Sequence, residues 1–239
     1  FEPTVYEKPL PAFLSKIRKI ADSNNSILIL DEIVTGFRFA LGGCQEYFNL
    51  KGDFVCFGKG MGNGLPISAI SGTEEFMKIF DTLWVSTTNG SETLSLAGTL
   101  ATINEIKNKQ TISHCWDVGK KLFDGWNIIA KEHEINASMI GYPIRMTMDC
   151  KDSKNNHSLP LKGLILQEMV KQGIFMAQGP TFISYSHNIE EIQKTLSAWE
   201  NVCKFIQKSI KSDNYSDFME GKLPQSVYTH KILPTKKIS

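Results

Sequence analysis

Apolar residues recur at Leu10, Phe13, Leu14, Ile17, Ile20 and Ala21, the spacing of one face of a helix, and Asn24 and Asn25 end that pattern. Directly after it, Ile27 to Leu30 form an unbroken β-rich run closed by Asp31 and Glu32. A short continuous apolar run behind an amphipathic helix predicts a buried parallel strand. Asp53 to Phe57 and Ile67 to Ser71 predict two further strands, and Leu83 to Ser86 a fourth. A long helix follows with Leu94, Ala97, Leu100, Ala101 and Ile106 on one face, then another carrying Val118, Leu122, Trp126 and Ile129. Strand and helix patterns alternate through this stretch, which favours an α/β layer architecture with a mostly parallel sheet.

The pattern changes after about Ile135. Short strand-like pieces (Arg145 to Met148, Ile174 to Met176, Phe182 to Tyr185) flank a polar loop, Lys151 to Ser158. A helix with Leu161, Leu164, Ile165 and Met169 lies between them, and Ile189, Ile192, Leu196, Trp199, Cys203 and Ile206 mark a very regular final helix. The division expected is therefore a large-domain part over residues 1–137 and a small α+β domain with a tail over 138–239. The tail after Ser212 is polar, carries Pro224 and Pro234, and is expected to pack as a strap.

Composition changes this picture little. The 239 residues carry a formal net charge of +1, with 41% hydrophobic and 21% charged residues, which gives no electrostatic reason to expect nucleic acid or a membrane surface. No apolar run approaches the ~20 residues of a membrane helix. The five cysteines are widely spaced, with no CxxC pair, and the five histidines lack metal-ligand spacing. Buried thiols in a reducing cytoplasm, and no metal site, are expected. The chain begins with Phe1 in a Pro- and Glu-containing stretch, which suggests a fragment.

Three constellations carry chemistry. Asp31 and Glu32 close a strand, where ligands of α/β sheets bind, and a carboxylate there can pair with a cation. In Gly58-Lys59-Gly60-Met61-Gly62-Asn63-Gly64 a lysine sits among four glycines directly after a strand. The segment is no P-loop, because Gly60 follows the lysine, and no dinucleotide fingerprint, because Pro66 and a strand follow it. A lysine in a mostly apolar pocket at a strand end loses charge readily, as a nucleophilic amine requires. Ser86-Thr87-Thr88-Asn89-Gly90-Ser91-Glu92 leads into a helix and suits a phosphate, although for this segment taken alone simple capping by Ser91 is the better reading. His187 reads as a local cap, and Trp116, Trp126 and Trp199 read as core.

Together, "LILDEIVTGFR" (28–38), "FGKGMGNGLPISAISG" (57–72), "STTNGSETLSLAG" (86–98) and "GIFMAQGPTFISYSHNIEEIQKTL" (173–196) resemble the class III aminotransferases that depend on pyridoxal 5′-phosphate (PLP). Within that family the closer resemblance is to the glutamate-1-semialdehyde 2,1-aminomutase branch and its relatives in surface-sugar biosynthesis: Val34 stands where many omega-aminotransferases have Gln, and "GSETLSLA" and the tail around "FMEGKLPQSVY" resemble the sugar-associated relatives. The resemblance implies a fold type I PLP-dependent transferase, present as its C-terminal half, and a homodimer whose sites lie at the subunit interface. It implies that Lys59 is catalytic and holds the cofactor as a Schiff base. It further implies that Asp31 pairs with the pyridine nitrogen, that Ile33 packs on the ring, and that Thr88 binds the phosphate from the partner subunit. Glu32 and Arg38 are expected to orient the loop rather than react. The partners implied are a small-molecule amino donor, a carbonyl acceptor and a preceding N-terminal half. Two other readings stand beside this one: a non-catalytic or split-subunit remnant of the same fold, and a phosphate-binding α/β protein built on the glycine turn.

Overall fold

The computed structural model of the chain describes residues 8–85, 87–90, 92–209 and 214–224. The predicted first helix forms as α1 (Phe13–Ser23), ended by Asn24, and leads into strand β1 (Ile29–Asp31). A loop and a short helix, α2 (Cys44–Tyr47), connect to β2 (Phe54–Phe57), which pairs with β1 in parallel, Asp31 opposite Cys56. β3 (Ala69–Gly72) returns antiparallel to β2. This sheet is therefore mixed, where the alternating pattern predicted mostly parallel strands. No crossover helix separates β2 from β3, and only an antiparallel return fits so short a connection.

The first strand is also shorter and less buried than expected. Of its three residues only Leu30 is buried, in a small cluster with Leu50 and Val55. Leu83 to Val85 form no strand, and Ser86 lies outside the described residues. After the short helix α3 (Glu74–Met77), the two long helices form as predicted: α4 (Thr93–Asn108) and α5 (Thr111–Glu132).

The main core lies beyond α4. Strand β4 (Ala137–Tyr142), which the sequence pattern did not single out, pairs antiparallel with β5 (Arg145–Cys150), and β6 (Thr181–Phe182) adds to β5. Helices α5 and α6 (Leu159–Lys171) lie on this sheet, and α7 (Ile189–Ser209) packs against both helices. Leu161, Leu164, Ile165 and Met169 of α6 are fully buried. Trp126 of α5 and Trp199 of α7 stack with ring centroids 3.9 Å apart, both fully buried. Trp116 instead packs at the edge of this core, stacked on Tyr47. Ile174 to Met176 form no strand.

The tail acts as a strap as far as it is described. Its 3-10 turn (Tyr215–Phe218) lies on α6, where Gln167 bonds the Phe218 carbonyl and the Glu220 amide, and Lys171 pairs with Glu220 at 2.6 Å. Residues 225–239 lie outside the described residues. Among the described residues all five cysteines are free, no cluster of His, Cys, Asp and Glu could hold a metal, and no helix is long and apolar enough to cross a membrane.

Candidate active site

Parallel pairing of β1 and β2 brings their carboxyl ends to one edge of the sheet, where α/β proteins bind ligands. Asp31 is the last residue of β1, and Lys59 follows the end of β2 after Phe57 and Gly58. The Asp31 carboxylate accepts a hydrogen bond from the Ile33 amide at 2.9 Å, which fixes its orientation at the strand end. Ile33 in turn closes over Gly58: a Cβ at position 58 would stand 3.0 Å from the Ile33 Cδ1. A side chain there would require Ile33 to give by a few tenths of an ångström, so glycine suits the approach directly before the lysine.

Lys59 opens a one-turn 3-10 helix with φ of 41°, and Phe37, in the loop after β1, has φ of 58°. Non-glycine residues in this left-handed region are strained, and such strain gathers at functional sites. Both residues line one cavity of about 610 Å³ with Val34, Gly36, Arg38 and Arg145. Lys59 itself is exposed, so the enclosed apolar pocket expected around it is replaced by an open cavity with two arginines in its wall. Asp31 lies outside that lining.

Thr88 stands apart. It is exposed on the turn Thr87–Gly90 and lines a second cavity of about 450 Å³ with Pro66, Ile67 and Ser68. Ser91, expected as the helix cap, lies outside the described residues, and Glu92 caps α4, accepting from the Leu94 and Ser95 amides at 2.7 Å. These bonds hold the Glu92 carboxyl below the usual carboxylate range, the Ser95 hydroxyl contributing most. The first amides of α4 are thus already bonded, which leaves the turn residues before Glu92 as the groups that can meet a phosphate.

Glu32 and Arg38 orient the loop as expected. Glu32 is fully buried and accepts from the Cys44 and Gln45 amides at 2.8 and 2.7 Å and from the Thr35 hydroxyl. Gly43, with φ of 84°, makes room for it, since a Cβ there would stand 2.2 Å from the Glu32 carboxylate. Arg38 donates to the Ile183 carbonyl at 2.9 Å, tying the loop after β1 to the segment after β6. His187 is local: its Nδ1 accepts from the Ser184 amide at 3.0 Å, and Asn188 caps α7. The sequence pattern missed Arg145 and Phe182 as wall residues. The one signal was an arginine opening β5 beside the apolar Ile144 and Met146.

Comparison with known proteins gives the family and the fold. The family profile of aminotransferase class-III matches residues 6–199. A glutamate-1-semialdehyde 2,1-aminomutase of Alkaliphilus oremlandii is 31% identical over 212 residues, covering 84% of this chain and 49% of that protein. One from Francisella tularensis is 30% identical over 204 residues, covering 79% of this chain and 47% of the relative. The chain thus spans about half the length of the curated relatives it matches. Among solved structures, the PLP-bound FumI protein of a Sphingopyxis species superimposes with a TM-score of 0.73 at 19% identity, over 87% of this chain and 50% of that one. An S-selective transaminase from Bacillus megaterium gives 0.71 at 17% identity, over 84% and 48%. These likenesses show the fold, which is shared with transaminases described with PLP bound. With its profile match spanning most of its length, the chain belongs to the class-III aminotransferase family.

Proposed function

We propose that this chain carries the lysine half of a PLP-dependent amino-group-transfer site, of the aminotransferase or glutamate-1-semialdehyde 2,1-aminomutase type, with Lys59 as the Schiff-base residue. The observation that carries the reading is the parallel pairing of β1 and β2, which puts Asp31 and Lys59 at the same edge of one sheet. A carboxylate and an amine at neighbouring strand ends match the two edges of a pyridine ring, its nitrogen and its aldehyde. The close Ile33–Gly58 approach and the cavity beside Lys59 fit a flat ligand. When bound, PLP supplies an electron sink for the carbanion that amino-group transfer requires. Asp31 would keep the pyridine nitrogen protonated, and Ile33 would pack on the ring. Lys59 would move the proton between the reacting carbons once a substrate amine has displaced it. Thr88, in its separate cavity, would bind the phosphate of a second copy's cofactor, so a homodimer is part of the reading. The division into a large-domain part (1–137) and a small domain (138–239) belongs to it too, as does a cytoplasmic site, which the free thiols suit.

The test is visible absorbance of the chain after incubation with PLP and removal of excess. The wild type should show the band of lysine-linked cofactor, and Lys59→Ala should lose it. A band that survives in the variant removes Lys59 from this role. The coverage of only about half of each relative favours one second reading, a split subunit or non-catalytic remnant. In that case the wild-type chain alone retains no cofactor and gains it only with a polypeptide supplying the rest of the fold.

A further inference from the structure

The segment from Ile183 to His187 joins β6 to α7 and is held from three sides. At its start the Ile183 carbonyl accepts from the Arg38 guanidinium, and the Ile183 amide bonds the Ile144 carbonyl at 3.3 Å. At its end the His187 carbonyl lies 2.8 Å from Nε2 of His114 on α5, whose ring meets that of Tyr185 with centroids 4.9 Å apart. Between these points the segment turns back on itself. The His187 amide donates to the Ser184 carbonyl at 3.1 Å, and the His187 Nδ1 accepts from the Ser184 amide at 3.0 Å. The Ser184 hydroxyl lies 2.9 Å from the same nitrogen. Ile183, Ser184 and Tyr185 form one wall of a cavity of about 480 Å³, with Arg38 and Cys115 across it.

A backbone amide can only donate, so Nδ1 of His187 carries no proton in this arrangement, and the ring is neutral with its hydrogen on Nε2. Protonation sets N–H against N–H. The new Nδ1–H can still meet the Ser184 hydroxyl, but the amide loses its acceptor. His114 behaves oppositely, since it donates through Nε2 to a carbonyl, a bond that the charged ring makes as well as the neutral one. An ordinary imidazole takes up its proton near pH ~6.5, so of the two contacts that of His187 is the one acid removes. The charged groups packed around the segment come from four elements. Arg38 lies beyond Ile183, His114 stands on α5, and Glu190 and Glu191 stand in the first turn of α7. Lys109 at the end of α4 also lines the cavity and is paired with Glu105 at 2.6 Å.

We propose that His187 is a proton-operated clasp, whose neutral ring holds the segment from Ile183 to His187 closed on Arg38 and α5 and whose protonation releases it. His187 is a positioning residue, acting through the Ser184 amide on the Ile183 carbonyl that anchors Arg38. Arg38 also lines the cavity beside Lys59, so the clasp sets how firmly one wall of that cavity is held. The contact needs the uncharged ring, so it is present at neutral pH and lost as pH falls through the imidazole range. It stands whatever Lys59 binds.

Hydrogen exchange of the Ser184 amide, corrected for the intrinsic effect of pH on exchange, reads the clasp in the full chain. Wild type should be protected at about pH 7.5 and lose about tenfold of that protection at about pH 5. His187→Asn offers a carbonyl oxygen close to the place of Nδ1 and takes up no proton, so its Ser184 amide should stay protected at both values. His187→Ala should leave the amide unprotected at both. Cys115 is buried in the wall of the same cavity, so its alkylation reads that wall. At neutral pH it should label several times faster in His187→Ala than in wild type. Should His187→Ala fail to fold, the comparison of wild type with His187→Asn still decides. Equal protection of the wild-type amide at both pH values, an acid loss that persists in His187→Asn, or an asparagine variant unprotected at neutral pH overturns the clasp. Unchanged labelling of Cys115 in a folded His187→Ala chain overturns its hold on the cavity wall.

Discussion

Asp31 and Glu32 are adjacent acids with opposite fates. Alternation along an extended chain sends neighbouring side chains to opposite faces. Asp31 ends exposed at the strand edge, whereas Glu32 turns inward and bonds the amides of Cys44 and Gln45 and the hydroxyl of Thr35. The sequence showed that a pair of acids closes the strand. It did not show which one the fold would consume, because two of Glu32's partners, Cys44 and Gln45, lie on α2. Glu32→Gln replaces one acceptor oxygen by an NH2 group that faces donors. Leaving buried charge-assisted bonds unmade costs about 1–3 kcal/mol each, so we expect the variant to lose about 2–4 kcal/mol of stability in urea denaturation. An unchanged midpoint would show that the loop from 32 to 45 does not depend on this carboxylate. The same inward environment governs the thiols. Burial pushes Cys44 and Cys150 up to about 12, which makes both poor nucleophiles at neutral pH.

Elements differ in how far their own pattern decided their place. α6 and α7 bury the faces their periodicity marked, because both lie on the main core. α4 does not: Ser95 and Thr99 are its buried residues, while Leu94, Leu96 and Leu100 are exposed. Periodicity identifies a face, and the neighbours decide which face is covered. β4 was missed because its Ser and Gly weaken a strand pattern that its pairing with β5 then enforces. Between α1 and the first sheet, the Asp53 carboxylate adds a polar link to the packing of Leu14 on Leu30, Leu50 and Val55. Asp53 accepts from the Leu28 amide at 2.7 Å and from Arg18 at 2.9 Å, and Arg18 also pairs with Asp22. Burial by itself would raise the Asp53 carboxyl pKa, but the Leu28 amide and the Arg18 guanidinium outweigh it and hold the group below the usual carboxylate range. A folded-state pKa that is depressed gives stability above the unfolded value of about 3.9, lost as pH falls through the lower folded value. Asp53→Asn should therefore cost about 1–3 kcal/mol at pH 7, and the gap to wild type should narrow as pH falls below about 4 through the lower folded value. A gap independent of pH over that range would deny Asp53 its charged role.

At the scale of the whole molecule, one core dominates, and the stacked pair Trp126–Trp199 stands at its centre, joining α5 to α7. Each indole N–H is also satisfied, Trp126 by the Ala137 carbonyl at 3.0 Å and Trp199 by the Trp126 carbonyl at 3.1 Å. Trp199→Ala removes a fully buried ring and should destabilise the chain by about 3–5 kcal/mol. Thermal unfolding followed by circular dichroism would register this as a lowered midpoint for the helices as a group. A loss confined to α7 would show that the core is not one cooperative unit.

The chain's own pattern determined what backbone geometry alone can set: the helices ended by Asn24 and built around Trp126 and Trp199, the acid at the end of β1, and the lysine among glycines after β2. Helical and strand periods and glycine's freedom act over a few residues, so they are written locally. Folding decided the rest. It alone placed Thr88 in a different cavity from Lys59, turned Glu32 inward, left the leucines of α4 outside, and set Arg145 against Phe182 beside Arg38. Those pairings join residues far apart in sequence. They form only where the burial of both partners outweighs the entropy of closing the chain between them, a balance that no short stretch of sequence contains.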